Sequence, residues 1–201
     1  MAPLPLGFYA RPDVVAIAQE LIGKLVCSRT DDGHFTVGRI VETEAYAGTT
    51  DRASHAYNGR RTARTEVMFG PPGVAYVYLV YGMYHLLNVV THSAGVPHAV
   101  LIRALEPTEG LATMLERRRL ARPERRLTGG PGLLTQALGI TVATHNGASL
   151  TGPDVWLADA PAVSAADLVA SPRVGVAYAA EDALLPYRFR LRGSPWTSPA
   201  R

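Results

Sequence analysis

The sequence predicts an α+β fold, a single domain with a mainly antiparallel curved β-sheet and flanking helices. A chain of 201 residues with 47% hydrophobic side chains suits one domain with a substantial core. Most apolar segments are of strand length and are joined by turn residues, which favours hairpin connections. Amphipathic segments of helical period are few and short, and no internal repeat or linker divides the chain.

The individual elements follow from these patterns in chain order. Asp13 is a suitable cap for a helix over residues 14–22, and Gly23 ends that helix. Residues 31–33 and 70–73 are turns rich in glycine, aspartate or proline. The predicted strands are residues 24–29, 35–46, 74–84, 86–91, 99–105, 155–158, 173–178 and 187–192, with Pro107 ending the fifth. The other predicted helices are residues 109–121, 133–138 and 160–170.

The strand segment at residues 39–46 has the composition of a functional site. Side chains alternate along a strand, so Glu42, Glu44 and Tyr46 are predicted to share one face. Two carboxylates and a phenol are poor material for a core, but they suit a site carried by a rigid strand end. The alternative is a solvated strand face with a salt bridge or two.

A polar segment and two groups of arginines extend this picture. Residues 47–65 are too many for a plain connection and predict a functional loop. Of the 20 lysine and arginine residues only Lys24 is a lysine, and planar guanidinium groups suit contacts to phosphates. One group comprises Arg60, Arg61 and Arg64, and the other comprises Arg117, Arg118, Arg119, Arg122, Arg125 and Arg126. Either group could instead be a solvated surface.

Several classes of protein are excluded by the residues that are absent from the sequence. The single cysteine, Cys27, excludes an intramolecular disulfide and agrees with a reducing compartment. No HExxH or CxxC spacing occurs, so neither a metal nor a cofactor is expected. No apolar segment approaches the roughly 18 residues of a membrane span. The chain does not open on a signal-peptide pattern. A cytoplasmic, non-secreted monomer without a membrane partner is therefore expected.

The remaining polar and aromatic residues suggest one kind of chemistry. Tyr76 and Tyr78 share a strand face, and Gly82 permits a bend that would place Tyr81 at a tip. Aromatic faces beside arginines suit a nucleobase that has left its stack, and a lone carboxylate suits activation of a water. Taken singly, the tyrosines could be half-buried sheet residues, and His55 could be a solvated loop residue.

These residues resemble the 3-methyladenine DNA glycosylase family of the alkyladenine type. The similar segments are residues 38–46 (GRIVETEAY), 76–84 (YVYLVYGMY), Asn88 and 101–107 (LIRALEP), with 68–69 (MF), 130–132 (GPG), 136–139 (QALG) and 173–175 (RVG) in the same order. The similarity runs from about Phe8 to Trp196. It implies one DNA glycosylase domain over residues 1–201 with a core of about 8–196.

The resemblance also implies a role for each candidate residue. Glu44 would be the general base that activates the hydrolytic water, and Arg103 would help to hold that water and Glu44. Tyr46 and His55 would form one side of a slot for an extruded base, and Tyr78 would form the other.

Two further roles concern the duplex and the floor of the slot. Tyr81 would wedge into the DNA and fill the gap left by the flipped nucleotide. Asn88 would lie at the floor and crowd the 2-amino group of guanine, while the His55 main chain would read the base edge. The residues implied to contact the DNA backbone are Arg60, Arg61, Arg64, Gly130 and Gly132. Leu133 stands where many family members have a lysine, which leaves only backbone donors at that helix start.

The resemblance therefore implies double-stranded DNA with damaged purines as the partner. The expected reaction is hydrolysis of the N-glycosidic bond of 3-methyladenine and related alkylated or deaminated purines, as the first step of base excision repair. Lyase activity is not expected because the one lysine, Lys24, lies in an early strand. Two alternatives remain open, a non-catalytic nucleic-acid-binding module of the same fold and an enzyme that acts on a small nucleoside.

Overall fold

The computed structural model describes residues 1–199, whose strands form one curled antiparallel sheet with helices packed against it. The predicted fold class is confirmed. The strands are β1 Leu25–Arg29, β2 Phe35–Tyr46, β3 Ala75–Val80, β4 Tyr84–Thr91, β5 His98–Glu109, β6 Val155–Ala158, β7 Leu168–Ser171 and β8 Arg188–Leu191. The α-helices are α1 Leu6–Tyr9, α2 Val14–Glu20, α3 Leu111–Arg118, α4 Pro131–Leu138 and α5 Val142–His145. Short 3₁₀ helices cover Gly48–Thr50, Tyr57–Gly59, Glu66–Phe69, Arg125–Leu127, Ala165–Asp167 and Ala177–Leu184.

Strands β2 and β5 are the central elements of the sheet. The strand order is β3-β4-β5-β2-β1-β6, and both central strands are 12 residues long. The first half of β2 also pairs with β1, whereas its second half pairs with β8, where Glu44 lies opposite Arg188. Strand β7 then pairs with the outer side of β8. The carboxylates of β2 are therefore held between two flanking strands.

The helices cover one side of this sheet and close the main core. Helix α2 begins as predicted, because the Asp13 side chain accepts from the N–H groups of Val15 and Ala16. It packs against β2 and β5, while α4 packs against β4 and β5. Ile17 and Leu134 are fully buried in the same cluster as the strand residues. The helices therefore support the central strands on one face of the sheet. The opposite face, at the ends of these strands, is open to form a cleft.

Irregular pairing between β2 and β5 aims one side chain at the carboxylates. Glu42 lies opposite Ala104 and Thr43 lies opposite Ile102, so Arg103 is an extra residue between two paired positions of β5. Such bulges bend a strand and redirect side chains, and they occur often beside functional sites. The bulge brings the Arg103 guanidinium within reach of both glutamates of β2.

Pro107 does not end its strand, contrary to the prediction. Strand β5 continues to Glu109, with Pro107 opposite Gly38 and Glu109 opposite Val37. The register shifts between Val37 and Gly38, and proline is tolerated where a ladder is interrupted because its missing N–H is not required there.

Two predicted elements near the end of the chain are also wrong. Residues 160–170 contain a 3₁₀ turn and the start of β7 instead of a helix, because pairing of Leu168 with Leu191 outweighs the helix propensity of alanine. Residues 173–178 form no strand. There, burial of Arg173 beside Asp51 and the positive φ of Gly175 (73°) bend the chain towards the end of β2.

Candidate active site

A cavity of about 530 Å³ opens beside the ends of β2 and β5 and the β3–β4 hairpin. Its size lies in the range of roughly 300–1,000 Å³ that is usual for small-molecule sites. Tyrosine and histidine side chains make up six of its nineteen lining residues, and serine, asparagine and arginine side chains share the walls with them. The lining residues are Tyr46, Ala53, Ser54, His55, Arg64, Met68, Tyr76, Tyr78, Val80, Tyr81, Leu86, Asn88, Ala99, Leu101, Arg103, Val174, Gly175, Val176 and Tyr178. All the predicted base-pocket residues thus meet in one cavity.

Glu44 is fully buried directly behind this wall. Its Oε2 accepts from the Tyr46 hydroxyl at 2.8 Å, and its Oε1 accepts from the Val174 N–H at 2.8 Å. Arg103 Nη1 lies 3.3 Å from each carboxylate oxygen. Tyr46, Arg103 and Val174 all line the cavity. The Glu44 carboxylate is therefore in contact with three residues of the cavity lining.

The second glutamate, Glu42, shares the arginine. Arg103 donates from Nε to Glu42 at 3.1 Å, while its Nη1 faces Glu44. Glu42 also accepts from Arg188 Nε at 2.7 Å and from both the N–H and the hydroxyl of Ser198, at 2.6 and 2.9 Å. Both glutamates are buried, so the solvated strand face considered above is not what β2 presents here.

The rings of Tyr76, Tyr78 and His55 form a connected group in the cavity wall. The His55 and Tyr78 rings meet edge to face with centroids 4.7 Å apart, and the Tyr76 and Tyr78 centroids lie 5.2 Å apart. Burial, together with the nearby Glu44 charge, raises the pKa of Tyr46 well above its usual value, so its phenol keeps the proton that it donates. Burial likewise raises the pKa of Tyr78.

His55 is neutral at neutral pH. Burial, followed by the charges of Arg64 and Arg60, lowers the pKa of its imidazole to about 4. Its Nδ1 lies 3.0 Å from the Tyr76 hydroxyl, which fixes the ring orientation. The wall therefore presents an uncharged imidazole beside phenols that retain their protons.

The predicted floor and wedge residues occupy different depths. Asn88 lies opposite Tyr76 in the sheet, and its Nδ2 donates to the Tyr76 carbonyl at 3.1 Å. Residues 74–84, predicted as one strand, instead form β3, a turn and the start of β4. Tyr81 lies in that turn at the mouth of the cavity with φ of 53°, and 87% of its surface is exposed.

The residues predicted to contact a DNA backbone lie in three different settings. Arg64 lines the cavity, with its Cζ 4.7 Å from the Tyr78 ring centre, and with Arg60 it lines a second cleft of about 410 Å³. Arg61 instead pairs with Glu66 at 2.6 Å. Gly130 and Gly132 begin α4 beside the hairpin, with Leu133 on an apolar depression next to Tyr81. A Cβ at Gly132 would lie 2.7 Å from the Tyr84 ring, so close packing by itself explains that glycine.

Three residues that make polar contacts at the site were not predicted as site residues. Arg173 is buried, donates to both carboxylate oxygens of Asp51, and lies with its Cζ 4.9 Å from the Tyr46 ring centre. Val174 supplies the N–H to Glu44, and the Tyr178 hydroxyl donates to the Ala53 carbonyl at 3.1 Å. The available sequence signal was the Arg-Val-Gly segment at 173–175, which was noted only as part of the resemblance.

Residues 1–199 contain neither a cluster of metal-ligating side chains nor a membrane-spanning helix. No group of three or more His, Cys, Asp or Glu side chains in this range could hold a metal ion. No helix in the same range has the length and apolar character to cross a membrane.

Comparison with known proteins shows the family to which this chain belongs. The family model for methylpurine-DNA glycosylase matches residues 7–195. A protein of Methanocella arvoryzae is 48% identical over 98% of this chain and 96% of its own length. A protein of Anaeromyxobacter dehalogenans is 49% identical over 97% of this chain and 85% of its own length. A protein of Bacillus licheniformis is 45% identical over 98% of this chain and 96% of its own length. All three are provisionally named 3-methyladenine DNA glycosylase. The chain therefore belongs to the methylpurine-DNA glycosylase family, whose members are DNA repair hydrolases that cleave N-glycosidic bonds.

Proposed function

We propose that this protein flips alkylated or deaminated purines, 3-methyladenine and related bases, out of duplex DNA and hydrolyses their N-glycosidic bond. The observation that carries the proposal is the placement of the buried Glu44 carboxylate directly behind an aromatic cavity sized for a base. In the cell the monomer would act on chromosomal DNA in the cytoplasm and begin base excision repair.

Selection of damaged purines begins before the base enters the cavity. Extruding a nucleotide costs a few kcal/mol and costs least at a weakened pair. Stacking on aromatic groups returns roughly 1–3 kcal/mol per base. Because the two quantities are comparable, intact pairs flip poorly while damaged pairs flip well. Tyr46 and His55 would stack on one side of the base and Tyr78 on the other, with Asn88 at the floor. The His55 and Tyr78 rings meet edge to face at 4.7 Å, so a base lies between them only after one of the two rings moves.

The chemical step replaces the bond from C1′ to the purine nitrogen with a bond from C1′ to water oxygen. Glu44 accepts a proton from the attacking water, and the purine leaves with the electron pair of the broken bond. Arg103 holds the carboxylate, and the Tyr46 hydroxyl and the Val174 N–H fix its orientation. A methylated purine is already cationic, so it departs without prior protonation and one carboxylate suffices.

The neutral imidazole of His55 does not repel such a cationic base. The rings of Tyr46 and Tyr78 already carry the guanidinium groups of Arg173 and Arg64, at 4.9 and 4.7 Å from the ring centres, so the protein's own cations use part of the attraction that these rings offer to a cation. Neutral lesions such as hypoxanthine need a proton at the leaving base, and His55 with a pKa of about 4 is a poor donor at neutral pH. Release of cationic bases is therefore expected to be faster than release of neutral ones.

The enzyme is proposed to be monofunctional, without lyase activity. A lyase step requires an amine that forms a Schiff base with the sugar. The single lysine of the sequence, Lys24, donates from Nζ to Asp159 at 2.6 Å and is not among the residues that line the cavity. Hydrolysis should thus leave an intact abasic site.

The direct test is base release from duplexes that each carry one defined lesion. Free 3-methyladenine, 7-methylguanine, hypoxanthine and ethenoadenine would be quantified by chromatography, and strand cleavage would be checked before and after alkali. Release of free base with alkali-dependent cleavage is expected. Binding without release would favour a non-catalytic nucleic-acid module. Competition by a free nucleoside as effective as duplex would favour an enzyme on small substrates.

Tyr81→Ser is expected to impair action on duplex more than on single strands. Tyr81 is exposed at the hairpin turn. A tyrosine ring that fills the gap left by a flipped nucleotide stabilises the base stack of a duplex, and a single strand has no such stack to stabilise. The loss on duplex should reflect one stacking contact of about 1–3 kcal/mol, or roughly 5- to 150-fold. Single-turnover release from matched double- and single-stranded substrates measures it. Leu184→Ser, at a residue 76% exposed outside the hairpin, is the control. Equal losses on both substrates would exclude a wedge.

A further inference from the structure

Glu42 has no role in the reaction proposed above, although its buried carboxylate is joined to Glu44 through Arg103. It is fully buried and accepts hydrogen bonds from Arg103, Arg188 and Ser198. Buried ion pairs cost much desolvation and are weak evidence of stabilisation. A second buried carboxylate one arginine away from Glu44 therefore calls for another explanation.

We propose that Glu42, held in place by Ser198, is a positioning residue that fixes the Arg103 guanidinium against Glu44. The proposal rests on the function proposed above and deepens it. A guanidinium is planar, so an anchored Nε leaves the direction of Nη1 little freedom. Glu42 anchors that Nε at 3.1 Å, and Nη1 then lies 3.3 Å from both oxygens of Glu44.

The shared arginine also balances the charge of the two glutamates. Glu42 and Glu44 contribute two negative charges, and Arg103 and Arg188 contribute two positive charges in contact with them. Without the charge of Glu42, Arg103 is free to turn its full donor set onto Glu44. Glu44 already accepts from Tyr46 and Val174, and two parallel guanidinium bonds in addition would make it a poorer proton acceptor than the present 3.3 Å contact with Nη1 alone.

The end of the chain completes this arrangement. Ser198 donates from its N–H to Glu42 Oε2 at 2.6 Å and from its hydroxyl to Oε1 at 2.9 Å. These contacts join residues 156 positions apart, and they leave the Glu42 carboxylate little freedom to turn. Ser198 therefore supports the orientation of Arg103 through Glu42.

The test is Glu42→Gln in single-turnover base release from a methylated duplex with enzyme in excess. We expect the maximal rate to fall at least tenfold while the enzyme concentration for half-maximal rate changes less than twofold. Thr43→Val is the matched control. It lies on the same strand and removes a buried hydrogen bond to the Ala18 carbonyl without touching Arg103. At a temperature where both variants are folded, Thr43→Val should release base at the normal rate.

A double-mutant cycle separates positioning from general support of the fold. If Glu42 acts through Arg103, Glu42→Gln should cost less than twofold in the background of Arg103→Lys. Equal losses in both backgrounds overturn the proposal.

If Glu42→Gln does not fold, Ser198→Ala is the deciding variant. We expect its maximal rate to fall two- to fivefold, and an unchanged rate overturns the proposal. An inactive wild type would defeat the proposed function as well, whereas an active wild type with Glu42→Gln at the same rate defeats this inference alone.

Discussion

Glu44→Gln is expected to lower base release by about 10²- to 10⁴-fold, the usual contribution of a general base. Glutamine keeps the size of the side chain but cannot accept a proton from water at neutral pH. Glutamine retains an oxygen that accepts from the Tyr46 hydroxyl, so the cavity walls made by Tyr46, His55 and Tyr78 should persist and affinity for a lesion-bearing duplex should stay within a few-fold. Single-turnover release and equilibrium binding to the same duplex measure the two quantities separately.

The fold of this variant must be checked because the amide places a donor against other donors. Tyr46, Arg103 and Val174 all donate to Glu44, so one amide N–H faces an unfavourable partner whichever way it turns. That costs about 1–3 kcal/mol of unfolding free energy. Glu106→Gln is the control, since Glu106 lies on β5 and is 4.0 Å from Arg39 at the surface. Base release by Glu44→Gln at close to the wild-type rate would disprove the assignment of Glu44 as the general base.

Asp51→Asn should produce a large loss of stability, about 3–5 kcal/mol of unfolding free energy. Removing one charge of a buried pair leaves the other uncompensated. Both Arg173 Nη atoms donate to Asp51, and the Arg173 side chain is 0% exposed. The same carboxylate accepts from the N–H groups of Ala47 and Ala53, so it also ties the loop after β2. Urea unfolding followed by circular dichroism measures the loss.

The control is an ion pair of similar geometry at the surface. Arg61 and Glu66 form two hydrogen bonds of 2.8 and 2.6 Å, but each side chain is 56% exposed. Exposed pairs contribute roughly 0–1 kcal/mol, so Glu66→Gln should hardly change the unfolding midpoint. If Asp51→Asn lost no more stability than Glu66→Gln, Asp51 would not be the structural anchor of this loop.

Asp51 also matters for the candidate site because its ion-pair partner, Arg173, directly precedes Val174, whose N–H donates to Glu44. Arg173 donates to the Ala45 carbonyl at 2.9 Å, and the next residue, Val174, donates to Glu44. Arg173 thus attaches the segment after β7 to the end of β2. Partial loss of activity is expected in Asp51→Asn even at temperatures where the variant is folded.

Local patterns of the sequence predicted most of the sheet. Alternation and turn residues predicted β2 with the bounds that the structure has, Phe35–Tyr46, and the Asp13 cap and β6 were also predicted correctly. The errors arose where distant partners decide the outcome. Strand β7 forms because β8 is beside it, and residues 173–178 follow the buried Arg173 rather than their own β propensity.

The fold class, the family and the chemical groups of the candidate site follow from local patterns in the chain, because periodicity and motifs are properties of neighbouring residues. The connections between those groups appear only in the packed protein: the bulge at Arg103, the sharing of that arginine by Glu42 and Glu44, and the pairing of Arg173 with Asp51. These contacts join residues 59 to 122 positions apart. Separations of that length leave no periodic trace in the chain, so only the packed sheet defines them.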